Sequence, residues 1–228
     1  MNTDFLNRIS RLTSSTKSVN ANASYSQWAE DLIVLKAFDL FFEKERGTYL
    51  DIGANDPVEL NNTWLLYQNE WNGVLVEPNP ELIKGIKSRR KRDNVLNVGI
   101  AENEITLDLY VFNNHTLSTF SEVEAKFYEE KGYIKTKSYP IECKTINEII
   151  ARNFDRCPNF ISIDIEGNEF ETISKFDFGK YTPEIFCVET YSWAKDERDT
   201  RIIDLFARNR YTVLAETPVN TLFIKRPD

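Results

Sequence analysis

The sequence predicts an α/β protein built on a doubly wound, mostly parallel sheet whose last strand runs antiparallel. Three observations carry this. Short strand-like runs alternate with amphipathic ones along most of the 228 residues, the pattern of strand–helix–strand crossovers. A lone glycine opens the turn Gly53-Ala54-Asn55, directly behind the strand-like run Thr48–Ile52. The chain closes on two extended runs, 211–215 and 221–225, joined by a turn too short for a crossover, so these two pair antiparallel.

Taken in order, residues 1–23 are rich in Ser, Thr and Asn and read as a polar N-terminal arm, leaving 24–228 as one domain. Ser24-Tyr25-Ser26-Gln27 opens the domain ahead of a helical spacing through Trp28, Leu32, Ile33, Leu35, Phe38 and Phe41. The strand Thr48–Ile52 follows, then a helix over 62–70, a strand over 73–76 and a helix over 80–91. Residues 95–100 and 106–112 are extended, 121–132 a polar helix and Ile146–Asn153 a shorter one. The run 159–165 is the most strand-like in the chain, because β-branched and aromatic residues dominate it. A helix over 170–175, a strand over 184–189 and a helix over 198–209 lead to the closing pair. No repeat or linker divides the domain.

A hydrophobic content of 41% supports a substantial core, and the net charge of −8 argues against nucleic acid as a partner. The basic run Lys87-Ser88-Arg89-Arg90-Lys91-Arg92 reads as the solvated end of a helix, with an anion-attracting site as the alternative. The three cysteines, Cys143, Cys157 and Cys187, are odd in number and lack metal-ligand spacing. Reduced thiols in a cytoplasmic protein fit them best. No segment is long and apolar enough to serve as a signal peptide or membrane span.

In doubly wound sheets, ligands sit beyond the carboxyl ends of the strands. Asp51-Ile52-Gly53-Ala54-Asn55 lies at such an end, and 26 positions after Asp51 the next strand ends in Glu77-Pro78-Asn79. A carboxylate there can accept both ribose hydroxyls of an adenosine. The turn lacks the G-x-G-x-x-G dinucleotide fingerprint, and the chain has no G-x-x-x-x-G-K-[ST] phosphate loop. An acidic residue opening the turn suits a cationic cofactor and repels a diphosphate. This favours S-adenosylmethionine over NAD. Asp51 as a mere helix cap and Glu77 as a surface carboxylate are the alternatives.

A second acidic cluster, Asp164-Ile165-Glu166-Gly167-Asn168-Glu169, follows the 159–165 run. Two carboxylates two apart on an extended segment point the same way. Asp164 and Glu166 are therefore candidates to bind a divalent cation, to bind a ribose or amine, or to deprotonate an acceptor hydroxyl. Glu169 is explained as well by a helix N-terminus. His115, the one histidine, is a third catalytic candidate, being the side-chain type whose charge ordinarily changes near neutrality. Ser118 either contacts the cofactor or caps the next helix. Tyr191 and Trp193 either stack on an acceptor ring or pack in the core.

The chain resembles the FkbM family of S-adenosylmethionine-dependent methyltransferases over roughly residues 24–225. The resemblance is carried by Tyr25-Ser26-Gln27-x-x-Glu30-Asp31, Tyr49-Leu50-Asp51-Ile52-Gly53-Ala54-Asn55, and Trp71-x-Gly73-Val74-x-Val76-Glu77-Pro78-Asn79. It continues in Ser118-Thr119 and in Asp164-Ile165-Glu166-Gly167-x-Glu169, the most specific element. Asp56-Pro57 departs from it where many relatives carry a further glycine. The resemblance implies a class I methyltransferase (Rossmann-like) fold with seven strands and O-methylation of sugars, glycans or secondary-metabolite hydroxyls. It also implies that Asp51 to Asn55 line the methionine part of the cofactor, Glu77 its ribose, and Asp164 to Glu166 the transferred methyl.

The cofactor-binding set expected from residues and resemblance together is Gln27, Asp51, Gly53, Ala54, Asn55, Glu77, Pro78, Asn79, Ala101, Ser118 and Asp164. The catalytic set is Asp164, Glu166 and His115, with a divalent cation at Asp164 and Glu166 if one is used. The expected reaction is methyl transfer to a hydroxyl of a sugar, glycan precursor or similar polar small molecule. A non-catalytic cofactor-binding protein and a methyltransferase for a protein acceptor are the alternatives.

Overall fold

The structure, a computed structural model, describes residues 23–226. The N-terminal arm expected over 1–23 lies outside the described residues but for its last. A seven-stranded sheet organises the rest, formed by β1 (Thr48–Ile52), β2 (Asn72–Val76), β3 (Asn94–Leu96), β7 (Phe160–Ile163), β8 (Ile185–Glu189), β11 (Tyr211–Glu216) and β12 (Asn220–Lys225). Their order is β11-β12-β8-β7-β1-β2-β3, and β12 alone runs against its neighbours. This is the class I methyltransferase arrangement, with its antiparallel last strand.

Two apolar layers hold the sheet, as the period of two along each strand requires. Alternate residues Leu50, Ile52, Val74, Val76, Ile161 and Ile163 pack under α5 (Ile146–Asn153) and α7 (Thr200–Arg208). Tyr49, Leu75, Phe160 and Cys187 face α1 (Glu30–Phe42), α2 (Trp64–Gln68) and α3 (Ile83–Arg89) on the other side. No helix among the described residues is long and apolar enough to cross a membrane.

The sequence reading needs three corrections. The run 95–100 is not one strand, because Asn97 donates to the Glu77 and Pro78 carbonyls and turns the chain. Its second half becomes β4 (Gly99–Ile100), in a separate three-stranded sheet with β5 (Ile105–Phe112) and β6 (Lys135–Lys144). Strand β6 was not expected, since its exposed, Lys-rich first half hides the alternation. A 3-10 turn (His115–Leu117) and α4 (Glu122–Glu130) link β5 to β6. Finally, the basic run is a solvated helix end at Lys87, Ser88, Arg89, Lys91 and Arg92, but one residue in it departs from that reading. Arg90 is fully buried.

Candidate active site

Strand register sets the site. Ile52 pairs with Val76 on one side and with Ile163 on the other, and Ile163 pairs with Val188. The next residue on each strand, Gly53, Glu77, Asp164 and Glu189, therefore falls in one row along the carboxyl edge. Hydrogen bonds hold the row: Gly53 N donates to Val76 O at 2.9 Å, Asp164 N to Ile52 O at 3.0 Å and Glu77 N to Leu96 O at 3.0 Å. Glycine is required in it, because φ at Gly53 is +80° and a Cβ there would lie 1.7 Å from the Asp164 carbonyl oxygen.

A cavity of about 470 Å³ opens over this row. Glu77, buried beneath it, accepts Asn55 N at 2.8 Å and Asn79 N at 2.7 Å, one on each oxygen. Each oxygen keeps a lone pair for a ligand hydroxyl. Burial pushes the Glu77 carboxyl up to about 7 against the pull of those two amides. Ile52, Val76, Ile100, Leu109 and Phe120 give the cavity an apolar wall. His115 stands exposed at its lip, its Nδ1 2.6 Å from Asn55 Oδ1.

The acidic end of the cavity is built from β7 and β8. Carboxylate oxygens of Asp164, Glu166 and Glu189 all lie within 4.8 Å of one another. The segment is not extended, as the sequence spacing had suggested: β7 ends at Ile163, and Glu166, Gly167 and Asn168 take φ of +55°, +110° and +72°. That tight turn folds Glu166 back toward Asp164. Glu169 Oε1 ties the turn by accepting Gly167 N at 3.0 Å, and Thr119 Oγ1 donates to Glu166 O at 2.6 Å. Tyr128 donates its hydroxyl to Glu166 Oε2 at 2.6 Å. Burial raises the Asp164 carboxyl to about 6 and, with neighbouring acids, lifts Glu166 and Glu189 well above the usual range. Such a cluster holds a proton or attracts a cation at neutral pH.

Of the expected cofactor set, Gln27, Gly53, Asn55, Glu77, Pro78, Ser118 and Asp164 line the cavity, as do the catalytic candidates Asp164, Glu166 and His115. Asp51, Ala54, Asn79 and Ala101 are outside its lining. Asp51 lies inside β1, two residues before the row, and alternation with Leu50 and Ile52 points its side chain into the layer opposite theirs. There its Oδ2 accepts Thr63 Oγ1 at 2.6 Å and Asn61 Nδ2 at 3.2 Å. Ala54 packs in that same layer. Asn79 serves the site through its backbone, as the donor to Glu77. Ala101 N is engaged with Lys144 O at 3.0 Å.

The FkbM methyltransferase domain model matches residues 51–213, well over half of the chain. The chain belongs to the FkbM methyltransferase family. With that membership go its class, S-adenosylmethionine-dependent methyl transfer, and the Rossmann-like fold described above. Among solved structures, this FkbM methyltransferase is similar to an SAH-bound methyltransferase from Podospora anserina, at 12% identity and a TM-score of 0.49, covering 100% of this chain and 89% of that one. It is similar to an O-methyltransferase from Bacillus cereus in complex with SAH, at 11% identity and 0.47, covering 99% and 92%. It is also similar to a TehB-like SAM-dependent methyltransferase from Corynebacterium glutamicum, at 7% identity and 0.48, covering 98% and 97%. No curated protein matches the chain.

Two residues at the candidate site escaped the sequence reading. Glu189 ends a strand of otherwise apolar residues, and an acid in that place carries the same signal that singled out Glu77 and Asp164. Arg90 sits beneath the site and uses all its donors: Nε to Asp93 at 2.7 Å, the others to Pro57 O, Asn61 Oδ1, Tyr49 Oη and Thr63 Oγ1 at 2.7–3.1 Å. It braces the turn from below. Nothing in a run of six basic or polar residues distinguishes the one that is buried.

Proposed function

We propose that this methyltransferase moves the methyl of S-adenosylmethionine to a hydroxyl of a sugar, glycan precursor or similar polar small molecule. The observation that carries the reading is the row of Glu77, Asp164 and Glu189 past the strand ends, with Glu166 folded back beside it on one cavity. The residues fit the cofactor. Glu77 has free lone pairs for ribose hydroxyls, the apolar wall suits an adenine, and an acid-rich end suits an ammonium and a sulfonium.

When bound, S-adenosylmethionine supplies a methyl on a positively charged sulfur, which leaves as a neutral thioether. The chain's own residues have the remaining work. Gly53 keeps the floor open, and Glu77 orients the nucleoside part. An alcohol is a poor nucleophile while it keeps its proton. The Asp164–Glu189 pair, each carboxyl biased by the other's proton, takes that proton as the oxygen bonds to the methyl carbon. Glu166, held by Tyr128, keeps a third carboxyl beside the pair.

Asp164→Asn and Glu189→Gln test this. Each variant retains SAH binding by calorimetry and loses about 10²–10⁴-fold in methyl release from labelled cofactor, the usual worth of a positioned base. Full turnover in both would overturn the assignment. The spacing of the three carboxylates also suits a hard divalent cation, which Asp164, Glu166 and Glu189 would hold and which would supply Lewis acidity toward an acceptor hydroxyl. A rate abolished by chelator and restored by Mg²⁺ selects that route, and an unchanged rate selects the proton route. The free state of Cys143, Cys157 and Cys187 supports a reducing compartment, the cytoplasm, as the place of work.

A further inference from the structure

A second cavity, of about 430 Å³, lies against the first. Glu166, Glu189 and Trp193 belong to the walls of both, so the carboxylate cluster forms the partition between them. Beyond the partition the walls come from α4, from the first turn of α6 (Glu169–Ile173) and from the segment 190–202. A volume of this size is within the range of small-molecule sites.

One wall residue is built for a ligand that donates. Glu124 is 6% exposed, and its Oε1 accepts Ser192 Oγ at 2.9 Å. Its Oε2 is buried and has no partner among the described residues. An unmet carboxylate oxygen in such a place costs free energy until a donor arrives. Beside it, Tyr191 and Trp193 stand with ring centroids 5.1 Å apart at 79°, Trp193 being 49% exposed. They offer an aromatic wall of the kind that takes the C–H face of a ring.

The cavity's arginines are committed elsewhere. Arg198 donates to the Thr190 and Thr221 hydroxyls and to the Thr217 and Pro218 carbonyls. Arg201 is held by Asp199 and Glu171. What faces the space, Lys195 apart, is therefore rich in carboxylate acceptors, which welcome hydroxyl donors and repel phosphate or carboxylate groups.

We propose that this second cavity is the acceptor site and that it takes a hydroxyl-rich ring free of anionic groups, one hydroxyl of which bonds to Glu124 Oε2 while the ring lies against Tyr191 and Trp193. The hydroxyl to be methylated then reaches the partition, between Glu166 and Glu189, with the cofactor on the far side. This rests on the methyltransferase reading above.

The test uses the full chain loaded with SAH and a panel of methyl glycosides of glucose, galactose, mannose and rhamnose, followed by saturation-transfer NMR. At least one glycoside is expected to receive saturation on its ring protons. Glu124→Gln and Tyr191→Ala each weaken that binding by about tenfold, the worth of one charge-assisted hydrogen bond or one ring contact. SAH affinity stays within about twofold, since neither residue lines the cofactor cavity, and Tyr191→Phe restores glycoside binding. No signal from any glycoside, binding that survives both substitutions, or tighter binding of glucose 6-phosphate than of the neutral glycosides overturns the proposal. Failure of the wild-type chain to bind SAH is a different result: it removes the methyltransferase reading itself, and this inference with it.

Discussion

Gly53→Ala is the sharpest perturbation the site allows. Its backbone stands at φ +80°, where an added Cβ costs about 1–2 kcal/mol on sterics alone. The Cβ would also lie 1.7 Å from the Asp164 carbonyl oxygen, and real contacts of this kind essentially never fall below 3.0 Å. The two strands must then part by about 1.3 Å at their ends, against the bond from Asp164 N to Ile52 O. A shift of about 1 Å in reacting groups costs about 100-fold in rate. At least 2 kcal/mol of destabilisation in a chain of this length lowers the melting temperature by about 4–8 °C. Differential scanning fluorimetry, SAH calorimetry and a methyl-release assay read the three effects. A variant that melts with the wild type and turns over within about threefold of it refutes the claim that Gly53 sets the place of Asp164.

Glu77→Gln leaves one acceptor oxygen to serve two backbone amides and turns an amide NH₂ toward the other, so SAH affinity falls by about tenfold or more, as calorimetry will show. Between about pH 4 and 7 the folded chain keeps protons on Asp164, raised to about 6, and on Glu77, raised to about 7, that the unfolded chain has released. Stability from these groups is therefore full below the unfolded values and falls as pH rises. Melting curves of Asp164→Asn should gain on the wild type across that window, and an equal pH dependence in the two would contradict it. Arg90→Met strips the counter-charge from buried Asp93 and Asp51 and costs about 3–5 kcal/mol in urea unfolding. Gly85→Ala in α3 adds a Cβ with nothing within 4 Å and stabilises by about 0.5–1 kcal/mol, a control for the Gly53 result.

The sheet was legible because its strands are short, apolar and separated by amphipathic runs, and the antiparallel end followed from one short turn. The three-stranded sheet was not. Lys135 to Ser138 alternates lysines with polar residues and Tyr139-Pro140 follows, so no apolar period stands out before Ile141. At the site, Glu77 and Asp164 were visible as acids closing apolar strands. Asp51 sits inside its strand, two positions before Gly53. Alternation with Leu50 and Ile52, which face the other layer, turns it toward Thr63 and Asn61. The return of Glu166 depends on three consecutive positive φ angles, and only Gly167 among those residues advertises one.

The two acidic places at this edge differ in how their charge is met, and the difference separates scaffold from chemistry. Asp51 lies against Arg90, whose guanidinium also holds Asp93, Asn61 and Thr63, so a buried anion is neutralised within the protein. Around Asp164, Glu166 and Glu189, the neighbours that most affect ionisation are burial, one another and further acids. A fold gains no stability from gathering like charges without a partner, because each raises the cost of ionising the next. Such a cluster persists where the missing positive charge arrives with a ligand or where a shared proton is used. A sulfonium cofactor and an acceptor that must lose a proton meet both conditions in one cavity. Hence cofactor affinity should fall with pH as the cluster protonates, and an SAH titration, lacking the sulfonium charge, should lose less affinity than one with S-adenosylmethionine. Equal losses for the two ligands from pH 8 to pH 5.5, about two and a half decades of proton activity, would remove the electrostatic argument for the cluster.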